Sequence, residues 1–464
     1  MENILYWINV INDWVWGPPL LIFMVFVGVY LSIKLRGLQF RHLWYAHKLA
    51  FSRHDDGAQG DISHFQALMT ALAATIGIGS IAGVATAIAI GGLGSIFWMW
   101  VAALFGMATK YAEAILAIKY RVVDEHNEMC GGPMYYLDKG LKSKFLGVSF
   151  AVLAAISAFG TGNIIQANSV AAAIIELYPM NPLWIGIILM VITALPILGG
   201  IKRIGKVVGI VVPVMAIFYL FGSVLVILIQ YKELPHAFAM IFKTAFTGQA
   251  ATGGFIGSTL MLAVQLGISR GVFSGEAGLG SSPIAAAAAK TDSPGRQALV
   301  NMTSVFITTG IICTLTALVI ATSGVLGQLG PDGQLLNGSA LTIRAFDMII
   351  PYGGLIVTIA LIPFAYSTML GWAYYGEKSI EYLFGIKATL LYRIIFILAI
   401  VPGAVLNLEI AWGFANIMNG LMSFPNLIGL FLLAGIVSSE TKLFEKQLKM
   451  EKEELRLSKL KAKS

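Results

Sequence analysis

The stretch from Ala73 to Gly83 reads AATIGIGSIAG. It lies within an apolar run long enough to cross a bilayer, and Gly77 and Gly79 interrupt that run with no proline or charge nearby. Glycine weakens a helix by about 1 kcal/mol relative to alanine, and hydrocarbon offers the loosened backbone no substitute partners. Broken backbone at membrane depth is tolerated where it is buried in protein or lines a wet cavity, so the stretch predicts a binding site. The competing expectation is that these glycines, with Gly83, Gly91 and Gly92, only let helices pack closely.

Composition fixes the solvent around that stretch. A mean hydropathy of +0.80, with 57% hydrophobic and 12% charged residues over 464 positions, excludes an ordinary soluble globule. Met1 to Asp13 carries Glu2 and Asp13 and no basic residue. No cleavable leader is therefore expected there, and the first helix should stay attached. Runs of about 20 apolar residues, enough to span the hydrocarbon, occur near 15–35, 65–90, 93–119, 147–175, 182–200, 207–230, 252–290 (broken), 299–325, 352–375, 389–408 and 414–437. The fold class expected is an all-α polytopic membrane protein of about eleven helices.

Basic residues follow every odd-numbered run. Arg36, Arg41 and Lys48 follow the first, Lys119 and Arg121 the third, Lys202 and Arg203 the fifth, Lys290 and Arg296 the seventh, and Lys378 and Arg393 the ninth. Eight more lie between Lys442 and Lys463, whereas the opposite loops hold Lys232, Lys243 and Arg344. The positive-inside rule then predicts a multi-pass protein of the cell membrane with its amino terminus outside and its carboxyl terminus in the cytoplasm. The net charge of +7 is a topology signal and calls for no nucleic acid. Cys130 and Cys313 fall in a loop and a span and are not expected to pair. The six histidines lie outside the apolar runs and form no metal motif, and no phosphate-binding loop points to ATP.

A second glycine-rich interruption, Gly267 to Gly280 (GISRGVFSGEAGLG), falls five spans after the first. Five is odd, so the second half enters the membrane from the opposite face. Two broken helices at equivalent places in inverted halves point to a midplane site of a secondary transporter. The organisation expected is an extra helix and loop over 1–64, a five-helix repeat over 65–232, a second over 233–437 with an outer amphipathic segment at 235–250, and a basic tail over 438–464, read as a solvated or lipid-surface helix.

Several blocks resemble the alanine/glycine:cation symporter family, sodium-coupled amino-acid transporters of the LeuT-type fold. They are GGLGSIFWMWVAALFGMATKYAEA (Gly91 to Ala114), GGPMYY (Gly131 to Tyr136), GNIIQANS (Gly162 to Ser169), RGVFSGEAGLGS (Arg270 to Ser281) and STMLGWAYYGE (Ser367 to Glu377). The chain departs from the family's usual GTGN at Gly77-Ile78-Gly79-Ser80 and from its SNEAG at Ser274 to Gly278. The first departure alters side-chain contacts to the solute or ion, and the second loosens the other broken helix.

An amino-acid zwitterion needs partners for its carboxylate, its ammonium and its side chain. Free N–H groups at Gly77, Ile78, Gly79 and Ser80 are expected to take the carboxylate. Carbonyls near Thr75 and from Arg270 to Phe273, beside Ser274, are expected to take the ammonium. Asn168 is the expected direct contact from the fourth span, with Gln166 close by, unless either serves as glue between helices. The resemblance implies that Phe273, Thr368 and Trp372 wall a pocket for alanine, glycine and perhaps serine or D-alanine. It also implies a sodium site from the hydroxyls of Ser367 and Thr368 and the carbonyls of Ala73, Ile76 and Phe364, unless those hydroxyls bond back to their own helix. Lys110 and Glu113, three residues apart, are expected to pair. With a second pair, Arg270 and Glu276, they form either an inner gate or a static ion pair. The function expected is import of a small neutral amino acid with co-transported sodium by alternating access. The alternative is a proton-coupled or differently selective carrier of the same fold. A channel lacks its polar lining here and an enzyme its catalytic constellation.

Overall fold

The computed structural model describes residues 2–52, 59–247, 259–291, 293–330, 333–406 and 408–461. Among them, eight helices are long and apolar enough to cross a membrane, or nine with the bent pair His64–Thr75 and Ile78–Gly91. Two shorter apolar helices, Pro182–Leu198 and Leu260–Gly275, stand where the fifth and seventh spans are expected. A two-stranded hairpin, Val122–Val123 with Met129–Cys130, is the small exception to an all-helical chain. The first span starts earlier than hydropathy indicates. Glu2–Val15 is already helical and turns at Gly17 into Pro18–Lys34, where proline fits the first helical position. Tyr6, Trp7 and Trp14 stand exposed along it, as aromatic residues do at a membrane interface.

Both broken spans start from side-chain caps. Ser63 Oγ accepts from Gln66 N at 3.2 Å while Gln66 Oε1 accepts from Ser63 N at 3.1 Å, a reciprocal pair that satisfies two orphan donors. Thr259 Oγ1 accepts from Leu262 N at 3.2 Å. The first helix ends at Thr75. Ile76 (φ −82°, ψ 70°) and Gly77 (φ −115°, ψ −162°) leave the helical region, a tight turn covers Ile78–Ser80, and Ala82–Gly91 continues at 64° to the first half. Glycine is required at 77 by space, since a Cβ there would lie 2.6 Å from Thr368 Oγ1.

The second break occupies only the end of the glycine-rich stretch from Gly267 to Gly280. Leu260–Gly275 is one continuous helix through Gly267 and Gly271. Those glycines admit the neighbouring helix Gly94–Lys119: a Cβ at Gly267 would lie 2.6 Å from Trp98 Cβ, and one at Gly271 3.0 Å from Ala102 Cβ. The close-packing expectation holds there. The chain breaks from Glu276 (φ 51°) through Gly278 (φ 93°) and Gly280 (φ 82°) and resumes as Pro283–Ala287. The part of the expected seventh span at 252–258 lies outside the described residues.

Below the two breaks, backbone joins backbone. Ile62, just before the first broken span, bridges in parallel to Ala289, just after the second. Asp61 N donates to Ala288 O at 2.9 Å and Lys290 N to Ile62 O at 2.8 Å. The Arg121 guanidinium fastens this strap by donating to the carbonyls of Gln59, Ala287, Ala289 and Thr291 at 2.8 to 3.1 Å.

Two accessory helices dock onto the bundle. Leu234–Thr247 buries Ile241 and Ala245, receives the Trp98 indole N–H at Ala245 O (3.0 Å), and packs Phe242 edge-on and Phe246 tilted against Phe97. Residues 248–250 of the segment expected there lie outside the described residues. The tail Ala434–Lys461 differs from the solvated helix expected of it. Val437, Thr441, Phe444 and Leu448 are buried, Glu440 pairs with Lys119, Glu445 with Arg41 at 2.7 Å, and Glu451 with Arg296 at 2.5 Å. Its periodic apolar residues form a contact face against the protein.

Candidate functional site

The break at Ile76–Ser80 exposes main-chain atoms of both signs. Ser80 N and Ile81 N close the turn onto Gly77 O and Ile78 O at 3.1 Å each. Among the described residues, no hydrogen bond uses the N–H groups of Gly77 or Ile78. They lie at the start of the half-helix that continues as Ala82–Gly91, the positive end of its dipole. Facing them is the C-terminal end of Leu260–Gly275, where the last four carbonyls lack intrahelical partners. Gly275 O is taken by Lys110 Nζ at 2.8 Å. The carbonyls of Arg270 and Gly271 receive the Ser274 hydroxyl at 2.9 and 3.3 Å. Those of Val272 and Phe273 stay available among the described residues. Phe273 brings this end over the break, since a Cβ at Gly79 would lie 3.0 Å from its ring.

Beside the break, Thr368 Oγ1 lies 2.9 Å from Ala73 O and 2.9 Å from Phe364 O. Ser367 Oγ also lies 3.0 Å from Phe364 O, although its other neighbour is Met215 S at 3.5 Å. Four oxygens from two helices therefore converge: two carbonyls and two hydroxyls, all buried. Neutral oxygen ligands of this kind suit a hard cation. The irregular helix Phe306–Cys313 with its neighbours joins the two breaks, as Thr308 Oγ1 meets Thr75 Oγ1 at 3.2 Å, Thr309 Oγ1 meets Ser274 Oγ at 3.3 Å, and Thr316 Oγ1 donates to Ser80 O at 3.1 Å. A cavity of ≈ 440 Å³ runs from Ile78 past Ala82, Gly83 and Thr86 to Asn337–Ala340, with Arg270 and Trp412 on its wall.

Several expected site residues stand elsewhere. Asn168 Nδ2 donates to Leu406 O at 2.6 Å and Gly403 O at 3.4 Å, so it joins two helices and is turned away from the break. Gln166 and Asn168 are two residues apart, about 200° around a helix, and cannot share a target. Gln166 instead follows Gly162, which packs against Trp372, and precedes Ser169, which lines the cavity. Gln166 Nε2 donates to Thr161 O at 2.9 Å in the π-helical turn Gly160–Ile164, and its Oε1 is buried with no partner among the described residues. Replacing Asn168 by alanine is expected to lower the unfolding temperature, for a loss of about 1 kcal/mol, and to leave the half-saturating solute concentration in uptake essentially unchanged, because its amide contacts the carbonyls of Gly403 and Leu406. The hydroxyls of Thr75 and Ser274 turn back to their own helices. Trp372 lies fully buried one turn beyond Thr368, against Gly162 and the Tyr375 ring.

The four charges do not form the expected pairs. Lys110 and Glu113 make no ion pair with each other. Lys110 holds Gly275 O, while Glu113 Oε1 accepts from Gly278 N (3.0 Å), Gly280 N (3.1 Å) and Asn426 Nδ2 (2.7 Å). Glu276 takes the Ser281 hydroxyl at 2.8 Å and faces Lys110. Arg270 lies apart from Glu276. It lines the cavity, 5.6 Å from the Trp412 ring, with no ion-pair partner among the described residues. A residue five positions before the break cannot reach a carboxylate beyond it. Trp412, Thr308, Thr309 and Asn426 were not expected at the site. A threonine pair and an amide inside apolar runs carry the same signal that singles out Gln166, the cost of polar groups in lipid.

A model of the sodium:alanine symporter family matches residues 1–458. The sodium/alanine symporter AgcS of Methanococcus maripaludis is 54% identical over 449 residues, 96% of this chain and 98% of that protein. A Bacillus subtilis protein described as "probable sodium/glutamine symporter GlnT" is 36% identical over 455 residues, covering 98% and 93%. Among solved structures, MhsT in complex with L-phenylalanine superposes with a TM-score of 0.57 over 83% of this chain and 99% of that one, at 14% identity. That likeness shows the LeuT-type fold.

Proposed function

The chain belongs to the sodium:alanine symporter family, and on that premise we propose that it imports alanine and glycine with sodium through the break at Ile76–Ser80. The observation that carries this reading is the Thr368 hydroxyl, 2.9 Å from both Ala73 O and Phe364 O and directly against Gly77. Sodium, as co-substrate, takes the carbonyls of Ala73, Ile76 and Phe364 and the hydroxyls of Thr368 and Ser367. The solute carboxylate takes the N–H groups of Gly77 and Ile78, and its ammonium the carbonyls of Val272 and Phe273, at helix ends of matching polarity. Because Gly77 adjoins both ligands, sodium that orders this backbone raises solute affinity, and the reverse holds equally.

Phe273 over Gly79 supports a small side-chain space. The 233–437 half rocks against the 65–232 half in this reading, with the 1–64 segment and the 438–464 tail outside both repeats. In this reading the amino terminus lies outside and the tail in the cytoplasm, which the distribution of basic residues over the loops supports. The cavity reaching Ile78 is then the outer vestibule, and the Ile62–Ala289 strap closes the inner side. Radiolabelled alanine uptake into proteoliposomes tests the reading. An imposed sodium gradient should drive accumulation that choline does not support, with competition by glycine and serine and none by leucine. Accumulation driven equally by a proton gradient in choline would favour the proton-coupled alternative.

A further inference from the structure

The geometry points to a redox modification site at the hairpin: a covalent bridge of one oxygen atom between Lys378 Nζ and Cys130 Sγ, formed under peroxide and opened by thiol reductants. The two side chains come from separate elements, Lys378 from the helix Gly354–Phe384 and Cys130 from the second strand of the hairpin. Their reacting atoms lie 3.3 Å apart, and both residues are buried. Glu381 serves both, since its Oε2 accepts from Lys378 Nζ at 2.8 Å and its Oε1 from the Cys130 thiol at 3.0 Å.

Lys378 faces more negative charge than one ion pair requires. Asp124 Oδ2 and Glu128 Oε2 also lie 3.5 and 3.6 Å from its nitrogen. These carboxylates fix the amine beside the sulfur and can take the proton it must lose. The ligand atoms of Asp124, Cys130 and Glu381 lie close enough together for a metal ion, but the Lys378 ammonium already stands among them, which argues against one. The gap selects the product. A direct S–N bond, shorter than the ~2.05 Å of a disulfide, would draw the helix and the hairpin together, whereas two bonds through an inserted oxygen span more of the existing separation.

Burial pushes the Cys130 thiol up against the pull of Lys378, so the thiolate is scarce and a strong oxidant is required. The oxidant is hydrogen peroxide, and the exposed hairpin tip from Glu125 to Asn127 lies on the solvent side of the pair. In the first step Glu381 takes the thiol proton, the sulfur attacks one peroxide oxygen, the O–O bond breaks, and sulfenic acid and water result. In the second step the Lys378 amine and the sulfenic acid each give up one hydrogen to a second peroxide, which leaves as two waters while the N–O bond forms. Reductant thiols reverse both oxidations, restoring amine and thiol, with the bridging oxygen lost as water and the reductant leaving as disulfide.

Position turns this bridge into a lock. Asp61 Oδ2 accepts from Met129 N at 2.8 Å, next to Cys130, and Asp61 N donates to Ala288 O, so the hairpin is tied to the strap below the two breaks. Arg121, at the root of the hairpin, fastens the same strap. The helix that carries Lys378 also carries Ser367 and Thr368. A covalent bond from Lys378 to Cys130 joins that helix to the inner closure, which must open for release inside; this consequence rests on the transport reading, and the bridge itself does not.

Mass spectrometry of the purified full chain, digested after hydrogen peroxide treatment, tests the bridge. The expected product is a cross-linked peptide joining Cys130 to Lys378, heavier than the two free peptides by one oxygen, lighter by two hydrogens, and absent after dithiothreitol. Cys130→Ser and Lys378→Arg should each remove it, and Cys313→Ser should not. In proteoliposomes, peroxide should lower the maximal rate of alanine uptake in proportion to the bridged fraction, dithiothreitol should restore it, and Cys130→Ser should be insensitive. Conversion of Cys130 to sulfinic or sulfonic acid alone, a cross-link without the added oxygen, or undiminished uptake by bridged protein each overturns the proposal. A chain that accumulates no alanine before peroxide would fail the transport reading alone, because the cross-link is read without transport.

Discussion

Exchanging two charges within the bundle, Lys110→Glu together with Glu113→Lys, is expected to abolish uptake rather than restore it. The two side chains are three residues apart, and a pair that merely held each other would survive the exchange. Here each holds a different piece of the second break, Lys110 the carbonyl of Gly275 and Glu113 the N–H groups of Gly278 and Gly280. After exchange, a carboxylate would face a carbonyl and the Glu276 carboxylate, and an ammonium would face three donors, Gly278 N, Gly280 N and Asn426 Nδ2. Both positions are fully buried, where removing one partner of a charge network costs about 3–5 kcal/mol. Uptake should therefore fall below about a hundredth of wild type, with a lowered unfolding temperature in detergent. Lys110→Met alone should be nearly as damaging, and adding Glu276→Gln should recover part of the loss, because it removes a carboxylate that Lys110 faces. Wild-type uptake by the exchanged variant would mean that the two side chains pair with each other in the working cycle and that the network described here is incidental.

The sequence makes the first break legible and brackets the second too widely, for one physical reason. Glycine in an apolar run has two uses, loosening a helix and admitting a neighbour, and composition does not separate them. At Gly77 the backbone leaves the helix, while at Gly267 and Gly271 it remains helical and the missing Cβ makes room for Trp98 and Ala102. The real second break is marked by Gly278 and Gly280 at positive φ, where the left-handed region favours glycine. Pairing of charges is equally hard to read. Spacing puts Lys110 and Glu113 on one face but is silent about the main-chain groups they meet across the interface. Asn168 fails for a reason the sequence does contain, the 200° that separates it from Gln166. The docked tail was concealed by its charge, because Lys and Glu that solvate a free helix serve equally well in ion pairs to Lys119, Arg41 and Arg296.

Ion coupling at the break leads to the other large effect. Thr368→Val keeps the side chain's shape and replaces its hydroxyl with a methyl group set between Ala73 O and Phe364 O, each 2.9 Å from the lost oxygen. The substitution removes one of the oxygens assigned to sodium, a loss of about 2–3 kcal/mol in the ion-bound state. Half-saturating sodium for uptake should rise about 30- to 150-fold. By reciprocity, alanine affinity at fixed sodium should fall, and it should recover as sodium is raised towards saturation. That recovery separates a defect in the ion site from a defect in the solute site, which sodium cannot repair. Thr368→Ser keeps the oxygen and should restore most of the sodium affinity. Ser367→Ala should cost less, since Ser367 Oγ divides its contacts between Phe364 O and the Met215 sulfur. A Thr368→Val protein with wild-type sodium activation would place the coupling ion elsewhere and leave Thr368 as a packing residue against Gly77.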